Sequence, residues 1–493
     1  MSTQDPLDTM DKQNGCGLAT LPVELIMRIT YTLTTSDLSS LRLTCKRITD
    51  ALSSQYIREF FTKKQFMLSE FSLKALVDIS KHEAYSQSLT HVIFGLDHFE
   101  LQDAGTRDLS SEQLTEYRAG HAEQQYLISS SRGQLLLVEA FRNLPRLETI
   151  DIRDFSSNRR SRDGPTRKWC SYGAPTICKK TGRELTTSGY PRGDFASKTF
   201  ALVLAAAAEA GVRLSKLEVI CRNKTWGLTD FAFYVPPALE PAYDSVLAGI
   251  RVLNLDLYPG LGLDFGRITN PEEYRVATVM LKKFLRRTTN VTHLRLNLQH
   301  ASHTAAQTLI EWIGHPDPDS DDPLFPALDD LSLGSLEVKP ETIVSLLNKF
   351  PKLTSVGLRR MVLIDASADD VRGNVWLPVV NRLAKLEELK HVHLGFMRQR
   401  KEHGVIIDVS LFELAKRPGP TMKIYAASLE GDFYGSPRRV REWLLNTARE
   451  MYVQWPPEIE DADELDEDDG DGEGSDEEHD SDGDDDGNGD DEE

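Results

Sequence analysis

"KKFLRRTTNVTHLRLNL", residues 282–298, changes its period halfway along. The first half ends the helical stretch "EEYRVATVMLKKFLRR". In the second half Leu294, Leu296 and Leu298 fall on one side of an extended chain, and His293, Arg295 and Asn297 on the other. A helix running into a half-buried strand is one unit of a longer pattern. The frame apolar-x-x-apolar-x-apolar recurs as "LTHVIF" from Leu89, "LETIDI" from Leu147, "LEVICR" from Leu217, "IRVLNL" from Ile250, "VTHLRL" from Val291, "LDDLSL" from Leu328, "LTSVGL" from Leu353 and "LKHVHL" from Leu389. "LEVICR" breaks the frame at Arg222. From Leu217 onward the starts are separated by 33, 41, 37, 25 and 36 residues, with helical stretches such as "TAAQTLIEWIG" and "TIVSLLNKF" between them.

Strand plus helix, repeated, predicts a parallel sheet with helices on one side. No unit covers its own apolar face, so neighbours must stack. The expected fold class is therefore α/β, an irregular leucine-rich-repeat-like solenoid without the Asn or Cys ladder of strict repeats. The competing expectation is an ordinary α/β domain with coincidental leucines. By alternation Asn254, Asp256, Tyr258, His293, Arg295, Asn297, Ser332, Arg359, His391 and His393 project from the strand edge beside the buried leucines. Such a polar, mixed-sign edge suits a folded protein substrate, or is simply solvated.

Near the start stands "LATLPVELIMRITYTLTTSDLSSLRLTCKRI". Pro22 suits a first helical turn, where its missing N–H costs nothing, and Glu24 complements the positive helix end. Leu25, Ile26, Ile29 and Leu33 recur at helical spacing as one apolar stripe. Ser36 or Asp37 is placed to cap the next helix, along which Leu38, Leu41, Cys45, Ile48 and Leu52 recur. Two or three short amphipathic helices are expected between about Leu18 and Phe60. A unit so small is marginal alone, so it either caps the following domain or plugs into a partner.

This stretch resembles an F-box, the motif that docks on the Skp adaptor of cullin-based SCF ubiquitin ligases. Leu21, Pro22, Glu24, Leu25, Ile29, Leu33, Leu38, Leu41 and Leu43 match the motif's apolar and Leu-Pro positions, and Cys45 with Lys46 its small-then-basic pair. Thr34 and Thr35 stand where the family more often carries a polar or acidic residue. An F-box followed by irregular leucine repeats is similar to the fungal F-box proteins, and "FSLKALVDISKHEAYSQSLTHVIFG" resembles their helical linker. The resemblance implies an F-box over residues 18–60 after a disordered leader at 1–17, a helical linker at 61–86, and a repeat body at 87–455. It implies Skp, and through it cullin, as partners. Leu21, Pro22, Glu24, Leu25, Ile29, Leu33, Leu38, Leu41, Leu43 and Cys45 would make that contact, and the repeats would hold a protein substrate.

Composition agrees with an intracellular protein. Of 77 acidic residues 23 lie from Glu458 to Glu493, leaving 54 against 57 Lys and Arg. The body is near neutral, and the tail at 456–493, poor in apolar residues and self-repelling, is expected to be disordered. It either keeps the protein soluble or competes for basic surfaces such as histones; Ser475 and Ser481 each precede an acid by three positions. Five cysteines form no disulfide framework. No secretory signal or membrane span is visible, so cytoplasm, nucleus or both are expected. The segment 154–198 is rich in Arg, Lys, Gly, Ser and Pro. It reads as a basic insertion, either solvated or bound to something acidic, this chain's tail included.

No catalytic constellation emerges. "GLGLDFG", from Gly260, misses dinucleotide spacing, and Cys170, Cys178 and Cys221 suit no common zinc site. His300 with His303, and His391 with His393, read as exposed or packed rather than metal-bound. We therefore expect no enzyme, cofactor, metal or nucleic-acid partner. The alternatives to a ubiquitin-ligase adaptor are a Skp-bound scaffold outside ubiquitination and an acidic-tailed binder of basic proteins.

Overall fold

The computed structural model describes residues 17–100, 109–156, 161–164, 170–187, 194–222, 227–258, 278–298, 301, 303–317, 319, 322–367, 372–402, 404–411 and 430–455. Those up to Gln454 belong to one compact unit. Helices α1 (Val23–Thr30), α2 (Thr35–Arg42) and α3 (Lys46–Phe60) come first. Their core is Ile26, Leu38, Ile48, Leu52 and Phe60, with Leu18, Leu21, Leu33, Leu41 and Tyr56 packed around it.

After Phe61 the chain enters a ten-stranded sheet. Strands β1 (Lys63–Met67), β2 (His91–Gly95), β3 (Thr149–Arg153), β4 (Lys216–Ile220), β5 (Val252–Leu257), β6 (His293–Leu298) and β7 (Asp330–Gly334) lie side by side in chain order. All eight leucine frames form strands of this sheet, including "LEVICR", whose β4 ends before Arg222. After β7, each of the next two repeats adds one strand to the sheet, with a short strand of a second sheet between: β8 (Glu337–Val338), then β9 (Ser355–Arg359), β10 (Val362–Asp365), then β11 (His391–Gly395), β12 (Arg398–Lys401). The step from one sheet to the other is made at Ser335, Arg360 and Phe396, each with positive φ (54°, 53° and 51°). A left-handed residue turns the chain sharply enough for the next strand to start within two or three residues. The second sheet is completed by β13 (Ile407–Ser410) and β15 (Tyr452–Val453), and the first by β14 (Glu430–Tyr434), antiparallel to β11.

Strand order in the large sheet follows chain order without reversal. A doubly wound domain reverses its order at a switch point and carries helices on both faces. Among the described strands this sheet has no such point, and the fold is a repeating α/β array. The helices follow as α4 (Glu70–Lys81), the short α5 (Glu83–Ser86), α6 (Ser111–Ser129), α7 (Ser131–Arg142), α8 (Ala174–Thr181), α9 (Asp194–Ala210) and α10 (Glu240–Leu247); α4 packs on α7, α7 on α9 and α9 on α10, while α6 packs on α7 and α8 on α6. The layer continues through α11 (Val279–Arg286), α12 (His303–Gly314), α13 (Pro340–Lys349), α14 (Leu377–Leu383) and α15 (Pro437–Glu450). Between helices and sheet lie Leu253, Leu255, Leu294, Leu296, Leu331, Leu333, Val356, Leu358, Val392 and Leu394, all buried. Phe200, Phe233 and Phe284 meet there with ring centroids 5.1–6.0 Å apart. Burying each such side chain stabilises the array by roughly 1.5–3 kcal/mol.

Three expectations need correction. The segment 61–86 is not purely a helical linker: β1 pairs in parallel with β2, so the sheet starts there. The insertion at 154–198 is not only solvated loop. It carries a short 3-10 turn at Ser161–Asp163 and α8, and Tyr172 bridges in parallel to Phe66. Helix α2 is capped by Thr34, which accepts from Asp37 N at 3.2 Å, rather than by Ser36 or Asp37. The expectations for "GLGLDFG", His300, the leader before Gly17 and the acidic tail fall outside the described residues.

Candidate functional site

Two surfaces hold the residues singled out in the sequence. On α1 the anticipated apolar stripe divides. Ile26 and Thr30, four residues apart, turn inward, and the Thr30 hydroxyl donates to Met27 O at 2.8 Å. Leu25 and Ile29, also four apart and so on one helical face, stay 46% and 41% exposed. Val23, Tyr31 and Leu43 are exposed too, Leu43 at 88%. Among the described residues the small core and the side chains packed on it do not include them. Pro22 is the residue before α1 rather than its first, and it is exposed with Glu24 and Cys45. Leu21, Leu33 and Leu41 are half-buried against the core. Leu38 is the correction within this set: it is 1% exposed inside the core and presents no contact surface. Sequence periodicity cannot separate an inward from an outward leucine when a helix is apolar on both sides.

The helical unit is fastened to the sheet by residues from the insertion, which sequence reasoning missed. Arg162 pairs with Glu59 (Nε to Oε1 2.5 Å, Nη2 to Oε2 2.6 Å) and donates through Nη1 to the carbonyls of Thr30 at 2.8 Å and Leu33 at 2.9 Å. The Thr30 carbonyl ends α1, where it also accepts from Leu33 N at 3.4 Å, and the Leu33 carbonyl lies in the turn before α2. Next to it, Asp163 accepts from Thr35 N at 2.7 Å and from the Thr35 hydroxyl, placing a carboxylate at the positive end of α2. On the chain-entry side Phe61 stacks on Tyr85 at 3.9 Å. A basic, glycine-rich segment gave no sign of this fastening, because it depends on which two carbonyls and which glutamate stand opposite.

The second surface is the sheet face away from the helices. Register sets Asp151, Glu218, Asn254, Arg295, Ser332, Gly357, His393 and Asp432 in one cross-strand row. Asp256, Asn297, Gly334, Arg359, Gly395 and Glu430 form the next. The row is bonded to itself. Asn254 Nδ2 donates to Glu218 Oε1 at 2.7 Å, and Asn297 Nδ2 to Asp256 Oδ1 at 2.5 Å. His391 Nε2 lies 2.7 Å from Asp432 Oδ1, its Nδ1 2.9 Å from Ser355 Oγ, and its ring stacks on Tyr434 at 3.8 Å. His393 Nε2 and Arg359 Nη2 lie 3.0 and 3.2 Å from the Glu430 carboxylate. His293 and Arg359 are exposed, and Arg295, Ser332, Asn254, Asn297, His391 and His393 are partly so.

Asp256 departs from expectation. It is buried, with Oδ2 accepting from Cys221 N at 2.6 Å, so it ties β4 to β5 rather than facing a ligand. Asp154, buried at the end of β3, likewise accepts from Arg222 N at 2.7 Å. Carboxylates here do what an asparagine ladder does in stricter repeats. Burial pushes the Asp256 carboxyl up, against the opposing pull of the Cys221 N–H and Asn297. Tyr258 lies beyond the end of β5, its N–H bonded to Leu228 O at 2.8 Å, and leaves the row. No disulfide joins the four described cysteines, and among the described residues no helix is long and apolar enough to cross a membrane.

No family model and no curated protein matches the chain. Among solved structures it is similar to the TLR13–ssRNA13 complex, at 12% identity and a TM-score of 0.28, covering 70% of this chain and 31% of that one. It is also similar to the leucine-rich repeat-containing protein LegL7 from Legionella pneumophila, at 13% identity and a TM-score of 0.26, covering 70% of this chain and 92% of that one.

Proposed function

We propose that this chain is a substrate-recognition adaptor of an SCF-type ubiquitin ligase, its first three helices an F-box that binds the Skp subunit and its sheet face a platform for a protein substrate. The observation that carries the reading is the outward apolar set Val23, Leu25, Ile29, Tyr31 and Leu43 on a unit whose core is already full. Clustered apolar side chains rimmed by polar ones mark partner surfaces, and these stand in the stretch that resembles the motif. An adaptor lowers no chemical barrier. By tethering, it raises the concentration of substrate lysines near the conjugating enzyme to roughly millimolar. The unit fixed by Arg162 and Asp163 gives that tether a defined start.

The reading is tested by co-purification with a Skp subunit, comparing the natural chain with Leu25→Asp plus Ile29→Asp. Both positions are exposed, so the variant keeps its fold while placing carboxylates in the contact. Loss of co-purification from a variant with an unchanged melting curve supports the reading. A natural chain that retains no Skp subunit overturns it.

A further inference from the structure

We infer that His91, Asp151 and Glu218, on adjacent strands β2, β3 and β4, form a binding site for a divalent first-row transition ion. One donor atom from each lies within 4.8 Å of the other two. Register makes the arrangement: Asp151 and Glu218 are direct partners across β3 and β4, and His91 stands one pleat back on β2, opposite Thr149. Like charges directly opposite each other in a sheet are destabilising unless something positive lies between or beside them.

The existing partners do not exhaust the site. Asp151 is 0% exposed, and its Oδ2 is held by Arg153, with Nε at 2.6 Å. Among the described residues its Oδ1 has no hydrogen-bond partner, and neither has His91 Nε2, which lies 3.4 Å from Asp151 Oδ2. A fully buried carboxylate oxygen without a donor is costly and calls for a water or an ion. Of the Glu218 oxygens, Oε1 is taken by Asn254, and Oε2 pairs at 3.1 Å with Lys216. The Lys216 side chain is 37% exposed on a flexible stem, so it can swing to water and leave that oxygen to a cation. Arg153 and Asn254 would stay behind the carboxylates as orienting groups.

The donor chemistry selects the ion. One imidazole and two carboxylates without a thiolate suit zinc and its first-row neighbours rather than calcium or magnesium, which take oxygen alone. Sequence search gave no sign of the set, because its members stand on three separate repeats and only the sheet brings them together.

The test uses the full chain, stripped with chelator, and zinc alone as the probe. Calorimetric titration, with cobalt absorption as a spectroscopic check, is compared between the natural chain, His91→Ala and Glu218→Gln; Asp151→Asn is left out because Asp151 is buried and ion-paired. The expected result is one equivalent bound by the natural chain and at least about tenfold weaker binding in both variants, with zinc raising the melting temperature of the natural chain only. Equal binding by His91→Ala would assign the zinc to exposed cysteines and histidines elsewhere and overturn the inference. So would absence of stoichiometric binding by a folded natural chain, leaving a hydrogen-bonded network only.

Discussion

The helical unit and the sheet body treat apolar residues in opposite ways. In β6 Leu294, Leu296 and Leu298 point to the helices and His293, Arg295 and Asn297 away, so period-two alternation sorts inside from outside along that strand. In the unit of α1, α2 and α3, Ile26 and Leu38 are buried while Leu25, Ile29 and Leu43 are left in water. A segment that keeps such residues outward pays in solubility for a surface it does not need for folding. The difference teaches that the leucines of the body explain the fold, whereas the outward leucines of the first helices are not needed for it and are what the proposed partner would cover.

Substitutions sharpen or break this contrast. Leu296→Ala, in the fully buried core of β6, is expected to cost about 2–5 kcal/mol. Leu25→Ala should cost under about 1 kcal/mol, because half its surface is already wet. Chemical denaturation checks both, and equal costs would dissolve the contrast.

Arg162→Ala is expected to loosen the unit locally by about 3 kcal/mol, since it strands the Glu59 carboxylate and removes the bonds to the Thr30 and Leu33 carbonyls. Amide exchange should rise in α1 and α2 and stay unchanged in β5 and β6; a uniform rise would mean that the unit and body unfold together.

Asp256→Asn sets an amide against either the Cys221 N–H or the Asn297 amide. It should cost roughly 1–3 kcal/mol, read as a lower melting temperature. A neutral result would remove the carboxylate from the frame of the array.

The smallest effect is one of pH. Burial raises the Asp97 carboxyl above its ordinary value, against the bond from Ser171. A raised folded-state pKa contributes stability that is present below the unfolded value and lost as pH rises through the folded one. The melting temperature of the natural chain should therefore gain on that of Asp97→Asn as pH falls from 7 toward 4, and a constant difference would contradict it.

The sequence carried the strands well, because alternation and leucine spacing are local. Even "LEVICR", which fails the frame at Arg222, is a strand, since its first four residues, with Lys216 before them, suffice to pair with β3 and β5. What it could not carry is set by contacts distant in the chain. The strand "KKQFM" has little alternation and is fixed by β2. Arg162 reads as one more basic residue until Glu59 stands opposite. Asp256 shares the parity of Asn254 but is claimed by the Cys221 backbone. On the helical unit, periodicity located the apolar positions and left open which of them face the core, because a third helix decides that.

The most direct test is amide hydrogen exchange of the full chain with and without a Skp subunit. Protection confined to residues 21–45, with the large sheet unchanged, is the result predicted by an outward apolar face that plugs into a partner. Protection of the sheet face instead, or none anywhere at saturating Skp subunit, would contradict it and leave α1, α2 and α3 as a cap on the array.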